Sequence, residues 1–439
     1  MENTAGNYLT KIGWGNYQRK ALLCALESEA LIIGILMLLP TIDINFKALL
    51  NTEKSISACI MSLSAILTSS YFVRNLQKIS HIDIYKNFGY LLLFGLIILL
   101  FASSILEIYI SMIVIGIGLG GDFTFNFHIL CDSSPIIGRS HYKWISVGID
   151  FINIFIYSGV FVLAYYKIDI FPYWKVIVFF LIIIHCIFMY LRSSLVDGPL
   201  LLYRQGKNEE LKNALKTIAV ENEIKDFNVD LNEFENHSAP IQCSLGDFFM
   251  PPLSSATFKL SIVTVLTFSS FIGFGLFIPE LILAPSHSQK IGILAVMRFY
   301  SLMGKFLSSM GIGSEFNRKV SFLISSFAVG ACVLNFSNST EFYHYIRYSV
   351  IYGASSSIST VALYSLIQDN YLPEYWGLAF MLKNCMESIG SIFGTILFGT
   401  VFSSVGSASA LIWIGSASIL AGLIGLSFEI KSSNENKSN

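Results

Sequence analysis

Ten ionisable side chains interrupt stretches of sequence that are otherwise apolar: Glu27, Glu29, Asp122, His128, Asp150, His185, Arg298, Lys305, Lys383 and Glu387. Asp122 shows the pattern most sharply. It follows IGIGLGG (115–121), which holds four glycines in six positions: Gly116, Gly118, Gly120 and Gly121. A charge at the centre of a bilayer costs about 2.5–3.5 kcal/mol on insertion scales, so such groups face water, pair with one another or carry protons. The chemistry open to them is therefore binding of a charged solute, proton exchange or an ion-pair gate. Covalent chemistry has no foothold: no H-E-x-x-H, G-x-S-x-G or phosphate-loop pattern occurs. Cys24, Cys59, Cys131, Cys186, Cys243, Cys332 and Cys385 lie singly, with no CxxC or Cys/His spacing, so neither a disulfide framework nor a metal site is expected. No cofactor is expected either.

The elements that must position these charges are long and apolar. Hydrophobic residues make up 54% of the 439 residues and charged ones only 13%, about half the charged share of soluble domains. Runs of roughly 18 to 24 apolar residues, enough to cross about 30 Å of hydrocarbon, fall near 21–40, 56–74, 87–105, 108–130, 144–165, 173–191, 258–280, 290–311, 320–337, 345–367, 376–400 and 407–427. The expected fold class is an all-α, integral, multi-pass membrane protein with twelve transmembrane helices. Residues 192–257 form the widest polar gap and divide the spans six and six. The domain reading is an N-terminal half (1–192), a linker (193–257) and a C-terminal half with a short polar tail (258–439). Within the linker NEELKNALKTIAVEN (208–222) places apolar or small residues at 211, 214, 215 and 218, the spacing of a short amphipathic helix.

Lysine and arginine set the orientation. With both termini in the cytosol, that side carries 19 of the 28 basic residues, the other side six, and the spans three. The sequons at Asn335 and Asn338 then face outward. Residues 1–18 are polar and the first apolar run is too long for a signal-peptide core, so no cleavable signal is expected. The net charge of −1 excludes a nucleic-acid partner. The partners expected are the lipid bilayer and a small solute, with the chain acting as a monomer unless it no longer transports.

Six motifs in order resemble the major facilitator superfamily, and within it the branch of synaptic-vesicle-protein-like and organic cation/anion transporters. GWGNYQ (13–18) is similar to that branch's entry to the first span. The glycine-rich fourth span leads to Asp132, Pro135 and Arg139, which resemble the exit pattern E-x-x-P-x-x-x-R with Asp for Glu. DGPLLLYRQGKNEELKNAL (197–215), SSFIGFGLFIPEL (269–281), NRKVSF (317–322) and LYSLIQDNYLP (363–373) resemble later family segments. Other family marks are absent. YFVRNLQKISHI (71–82) lacks G-x-x-x-D-x-x-G-R-R, Asn370 and Gly377 stand where the second exit motif has Glu and Arg, and the seventh span has no glutamine.

The resemblance implies two six-helix halves rocking about a midplane site, with spans 1, 4, 7 and 10 central, 2, 5, 8 and 11 at the interface, and 3, 6, 9 and 12 peripheral. All eight acidic and basic residues inside spans then fall in central or interface positions, and His185 alone is peripheral. The substrate or proton-coupling candidates are Glu27, Glu29, Asp122, Asp150, Arg298, Lys383 and Glu387. At 1.5 Å per residue the four acids of the first half gather within about 9–14 Å of the cytoplasmic end, facing a second half richer in cations. Opposed walls of opposite sign would hold a charged or zwitterionic solute, or pair across the cleft.

Simpler roles compete with these. Glu27 and Glu29 lie about 200° apart around one helix and cannot share a face. Lys383 and Glu387, at i and i+4, can neutralise each other, and Asp122 can be a hydrogen-bonded tie. His128 and His185 read as satisfied core residues. The four glycines serve close helix packing. Asp132, Pro135 and Arg139 form a conformational switch, and Tyr157, Phe274 and Tyr364 are candidate lining aromatics. Two functions follow: a transporter of a small organic solute, an organic ion or zwitterion in preference to a sugar; or a transporter-shaped chain that no longer cycles and serves as receptor, scaffold or assembly subunit.

Overall fold

The computed structural model describes residues 4–39, 42–44, 47–48, 50–73, 79–134, 173–225, 227–229, 244–281, 287–311, 315–336, 339, 341–372 and 375–428. The run at 144–165, with Asp150 and Tyr157, lies outside the described residues, as do Pro135 and Arg139. Helices account for nearly all of the rest: α1 (Thr4–Ile12), α2 (Asn16–Leu38), α3 (Asn51–Val73), α4 (His81–Phe101), α5 (Ile105–Asp132), α6 (Tyr173–Ser193), α7 (Pro199–Arg204), α8 (Asn208–Glu221), α9 (Ser254–Leu281), α10 (His287–Gly311), α11 (Glu315–Phe336), α12 (Phe342–Asn370), α13 (Trp376–Val405) and α14 (Ser407–Gly425). A two-residue antiparallel pairing of Asp43–Ile44 with Lys47–Ala48 follows α2.

Among the described residues eleven helices run 19 to 30 residues. Eight of them are long and apolar enough to cross a membrane by length and composition. Their starts are written locally. Ser104 caps α5 by accepting from the Glu107 amide at 3.3 Å, while the Glu107 carboxylate accepts from the Ser104 amide at 3.1 Å, the reciprocal box expected of S-x-x-E. Ser80 caps α4 by accepting from the Asp83 amide alone, at 3.3 Å. Leu67, Tyr71, Phe94, Ile187, Ile324 and Trp413 point outward, as side chains facing lipid tails do.

Helices α2 to α6 pack into one bundle and α9 to α14 into a second, and α3 and α5 touch α13 while α2 touches α9. The α5 glycines set the spacing inside the first bundle. A Cβ at Gly116 or Gly120 would sit 2.3 or 2.4 Å from the backbone oxygen of Met61 or Ala65 in α3. At Gly118 and Gly121 it would meet Leu92 and the ring of Phe88 in α4. One helix thus presents two hydrogen-sized faces to two neighbours.

The linker docks on the first bundle through α8, whose Leu211, Ala214, Leu215, Ile218 and Ala219 are buried. Asn222 Oδ1 accepts from the Tyr17 amide at 3.0 Å, Tyr17 Oη donates to the Val196 carbonyl at 3.0 Å, and Lys20 bridges Glu221 at 3.0 Å.

Candidate functional site

Among the described residues, two groups of polar side chains inside the helical body hold most of the candidate charges, and they differ in kind. The first is a closed cluster within the first bundle. Glu27 (α2), Asp122 (α5), His185 and Arg192 (α6) are all fully buried. Arg192 makes two parallel hydrogen bonds to Asp122, at 3.0 and 2.6 Å, and a third to Glu27 at 2.8 Å. Its guanidinium lies 4.1 Å from the centre of the Tyr85 ring, and the Tyr85 hydroxyl donates to the Cys24 carbonyl. This planar fork, met by a carboxylate and stacked on an aromatic face, is geometry that lysine could not supply.

His185 closes the cluster. One ring nitrogen, Nε2, faces the Gly89 carbonyl at 2.8 Å and therefore carries a proton. The other, Nδ1, is hydrogen-bonded to Glu27, which requires one further proton between the two groups. With it, Arg192, Asp122, Glu27 and His185 sum to zero charge, which is what a fully buried ionic group needs. Among the described residues Glu27 and Asp122 are thus tied to partners on α6 and are not among the side chains that line the cavity described next. The α6 helix supplies both of their partners, so a span expected to carry only a histidine contributes the pivotal cation. Arg192 sits one residue beyond the apolar run at 173–191, and its helix continues to Ser193. Nothing in the sequence links it to Asp122, 70 residues earlier.

The second group surrounds a cavity between the bundles. Its volume is about 100 Å³, several times what a single water needs. Arg298, Ser301 and Lys305 line it from α10, Glu387, Ser388 and Ser391 from α13, and Ser356, Ser357, Thr360 and Tyr364 from α12. Across from them, α2, α3 and α5 contribute Ile32, Leu36, Met61, Ala65, Leu119 and Phe123, with Ser62 the one hydroxyl among the described residues on that side. Lys383 stands just behind the wall. It bridges Glu387 at 2.6 Å, is hydrogen-bonded to the Tyr364 hydroxyl and lies 4.0 Å from that ring's centre.

Helices of the two bundles meet on both sides of this cavity. Toward the α1 face, Phe127 stacks on Phe380 at 4.6 Å between ring centres and tilts against Tyr364 at 6.5 Å. A Cβ at Gly377 would lie 2.7 Å from the His128 ring. Toward the opposite face, Ser55 Oγ donates to the Thr395 carbonyl at 3.0 Å, and Cys59 lies 3.3 Å from the Thr395 hydroxyl.

The cavity therefore gathers Arg298, Glu387 and, one layer back, Lys383, and leaves Glu27 and Asp122 in the closed cluster. Glu29 lies in α2, its side chain outside the described residues. His128 Nδ1 bonds the Thr124 carbonyl at 2.7 Å. Asp132 lies 3.3 Å from Arg204 in the linker. Of the candidate aromatics Tyr364 lines the cavity, whereas Phe274 is core, packed between Phe336 and Tyr352. Sequence reasoning named Lys305 as a cation inside a span without making it a site residue. Its place seven residues from Arg298, on one helical face, was the available signal. The hydroxyls of α12 carried no signal, because serine inside a span is common at helix contacts.

No protein-family model and no curated protein sequence matches the chain. Solved structures do. The E. coli xylose transporter XylE in a partially occluded inward-open conformation superposes with a TM-score of 0.71 at 14% identity, covering 95% of this chain and 100% of that one. The inward-open form of XylE gives 0.67 at 14% identity over 95% and 96%. The proton:xylose symporter XylE with 6-bromo-6-deoxy-D-glucose bound gives 0.66 at 15% identity over 94% and 96%. At such identities the likeness speaks of architecture alone: this chain is an integral multi-pass membrane protein with the fold of the major facilitator superfamily.

Proposed function

We propose that the chain is a secondary or facilitative transporter of a small organic solute, moved by alternating access of residues 1–192 against 258–439 with residues 193–257 as a cytoplasmic linker. Both termini face the cytosol in this reading, and no covalent chemistry is involved. The observation that carries it is the cavity itself, bounded by both bundles and flanked on either side by contacts between them. A midplane site at the interface of two halves is where rocking transporters bind their cargo.

The preferred solute is an organic ion or zwitterion. XylE carries xylose, an uncharged solute, and the fold alone would allow the same here. The charge on the walls favours an ion instead: Arg298, Lys305 and Glu387 line the cavity, and ionisable groups beside a cavity inside a membrane-spanning bundle are candidates for contact with a solute.

The test is uptake into proteoliposomes of radiolabelled anions, cations, zwitterions and sugars, paired with thermal stability of the purified protein in each. Saturable uptake of a charged solute is expected, with stabilisation of about 2.7 kcal/mol at a hundred times its Kd. Binding without flux of any solute would favour the non-cycling reading, and uptake confined to sugars would overturn the charged-solute preference.

A further inference from the structure

Both bundles supply apolar surface to the cavity, and on the second bundle that surface is a run of aromatic rings. We propose that the cavity takes a solute with an apolar, ring-sized body, and that this body is the part of the solute both bundles grip. The proposal rests on the cavity being the solute site.

The first bundle presents Leu36 from α2, Met61 from α3, and Leu119 and Phe123 from α5. Leu119 and Phe123 are four residues apart and so share one face of their helix. The second bundle presents Phe268 and Phe271 from α9 and Tyr352 from α12. Phe268 tilts against Phe271 at 5.8 Å between ring centres, and Phe271 meets Tyr352 edge-on at 6.3 Å. The Tyr352 hydroxyl donates to the Phe271 carbonyl at 3.1 Å, which fixes the two helices to each other and spends the donor of that ring inside the bundle. Three rings therefore form one continuous surface, held by its own contacts.

Water against such surface has few hydrogen-bond partners, and an apolar group that displaces poorly held water gains affinity. Apolar cavities of about 150 Å³ take up benzene, and the volume of about 100 Å³ here is on the scale of one ring. Burying a phenyl-sized group is worth about ten- to a hundredfold in affinity, and a ring of the solute can meet Phe123 or Phe271 in the offset or edge-on geometry that aromatic pairs prefer. A sugar has hydroxyls on every side, and those turned to this surface would be left unsatisfied. A small ion without a body would leave the surface uncovered. The polar end of the solute can carry either sign, because the apolar surface acts on the body alone.

The probes are three pairs: phenylacetate with acetate, benzylamine with methylamine, and phenylalanine with alanine. Each pair shares its polar end and differs by one phenyl group, so the effect of charge drops out within it. Affinities are read from thermal stabilisation of the purified protein, with xylose as a seventh probe and uptake of each radiolabelled probe into proteoliposomes alongside. In at least one pair the phenyl member is expected to bind saturably and about tenfold or more tighter than its partner, and tighter than xylose. Phe123→Ala is expected to weaken that member and to bind its naphthyl analogue more tightly than the parent does, a gain that a merely destabilised fold cannot give. Where Phe123→Ala does not fold, Met61→Ala carries the same expectation. A phenyl group worth less than tenfold in every pair, tighter binding of xylose, or no binding by any phenyl probe overturns the proposal, as does a folded variant in which phenyl and naphthyl affinities are those of the parent. Ring-dependent binding without uptake upholds the proposal while sinking the transport reading. Uptake with no preference for a ring does the reverse.

Discussion

Arg192 is the residue on which the first bundle turns electrostatically. Fully buried, it is the shared partner of Asp122 and Glu27 from two other helices. Removing one member of a buried ionic group leaves the others charged and unsolvated, which costs about 3–5 kcal/mol, whereas replacing the whole group by neutral isosteres is often close to neutral. Arg192→Met is therefore expected to lower the melting temperature severely, and Arg192→Met combined with Asp122→Asn and Glu27→Gln to recover much of the loss. A triple variant no more stable than the single one, by scanning fluorimetry, would show that the cluster does more than balance charge. Asp122→Asn alone is expected to lower stability yet leave ligand-induced stabilisation intact, because Asp122 does not touch the cavity. The sequence announced that Asp122 needed a compensating partner. It could not name Arg192, since the pairing joins positions far apart in the chain and the arginine lies at the polar margin of its span.

At the scale of helices, the glycine row of α5 was legible as a packing device, but its two-sidedness was not. That property emerges only when α3 and α4 are in place on either flank. Gly116 and Gly120, four residues apart, face backbone oxygens of α3 at 2.3 and 2.4 Å from an added Cβ. Gly121 faces the base of the Phe88 ring, 2.0 Å from an added Cβ, and that ring is itself packed edge-on against Phe72. Gly120→Ala and Gly121→Ala are each expected to cost about 1–3 kcal/mol, the range for overpacking a dense interior. An unchanged melting temperature in either variant would contradict this close packing on both faces. The amphipathic pattern at 208–222 predicted α8 with its buried face, since period and burial coincide there. The length of α12, Phe342–Asn370, exceeded the apolar run at 345–367, because the polar turn Gln368–Asn370 continues the helix past its hydrophobic core.

At the scale of the whole molecule, the proposed alternating access depends on how easily the two bundles part on each side of the cavity. The contact toward the α1 face rests on Phe127 against Phe380 and on the close approach of His128 to Gly377. The absence of a side chain at residue 377 is what allows that approach, at the position where the related motif has arginine. Gly377→Val would drive a branched side chain into the His128 ring and penalise the closed arrangement by about 1–3 kcal/mol, a population shift of about 5- to 150-fold toward opening on that face. The readout is a cysteine at Ser62, on the cavity wall, in a background with the native cysteines replaced. A membrane-impermeant maleimide applied from the α1 face, cytoplasmic in the proposed orientation, should label it faster in Gly377→Val than in the parent, and more slowly from the opposite face. A ligand that favours the closed arrangement should bind the variant more weakly by the same factor, because it must first reverse the shift. Unchanged labelling from both faces would mean that α5 and α13 are not the moving contact, and the hinge of the cycle would then have to be sought at α3 and α13, where Ser55 and Thr395 meet.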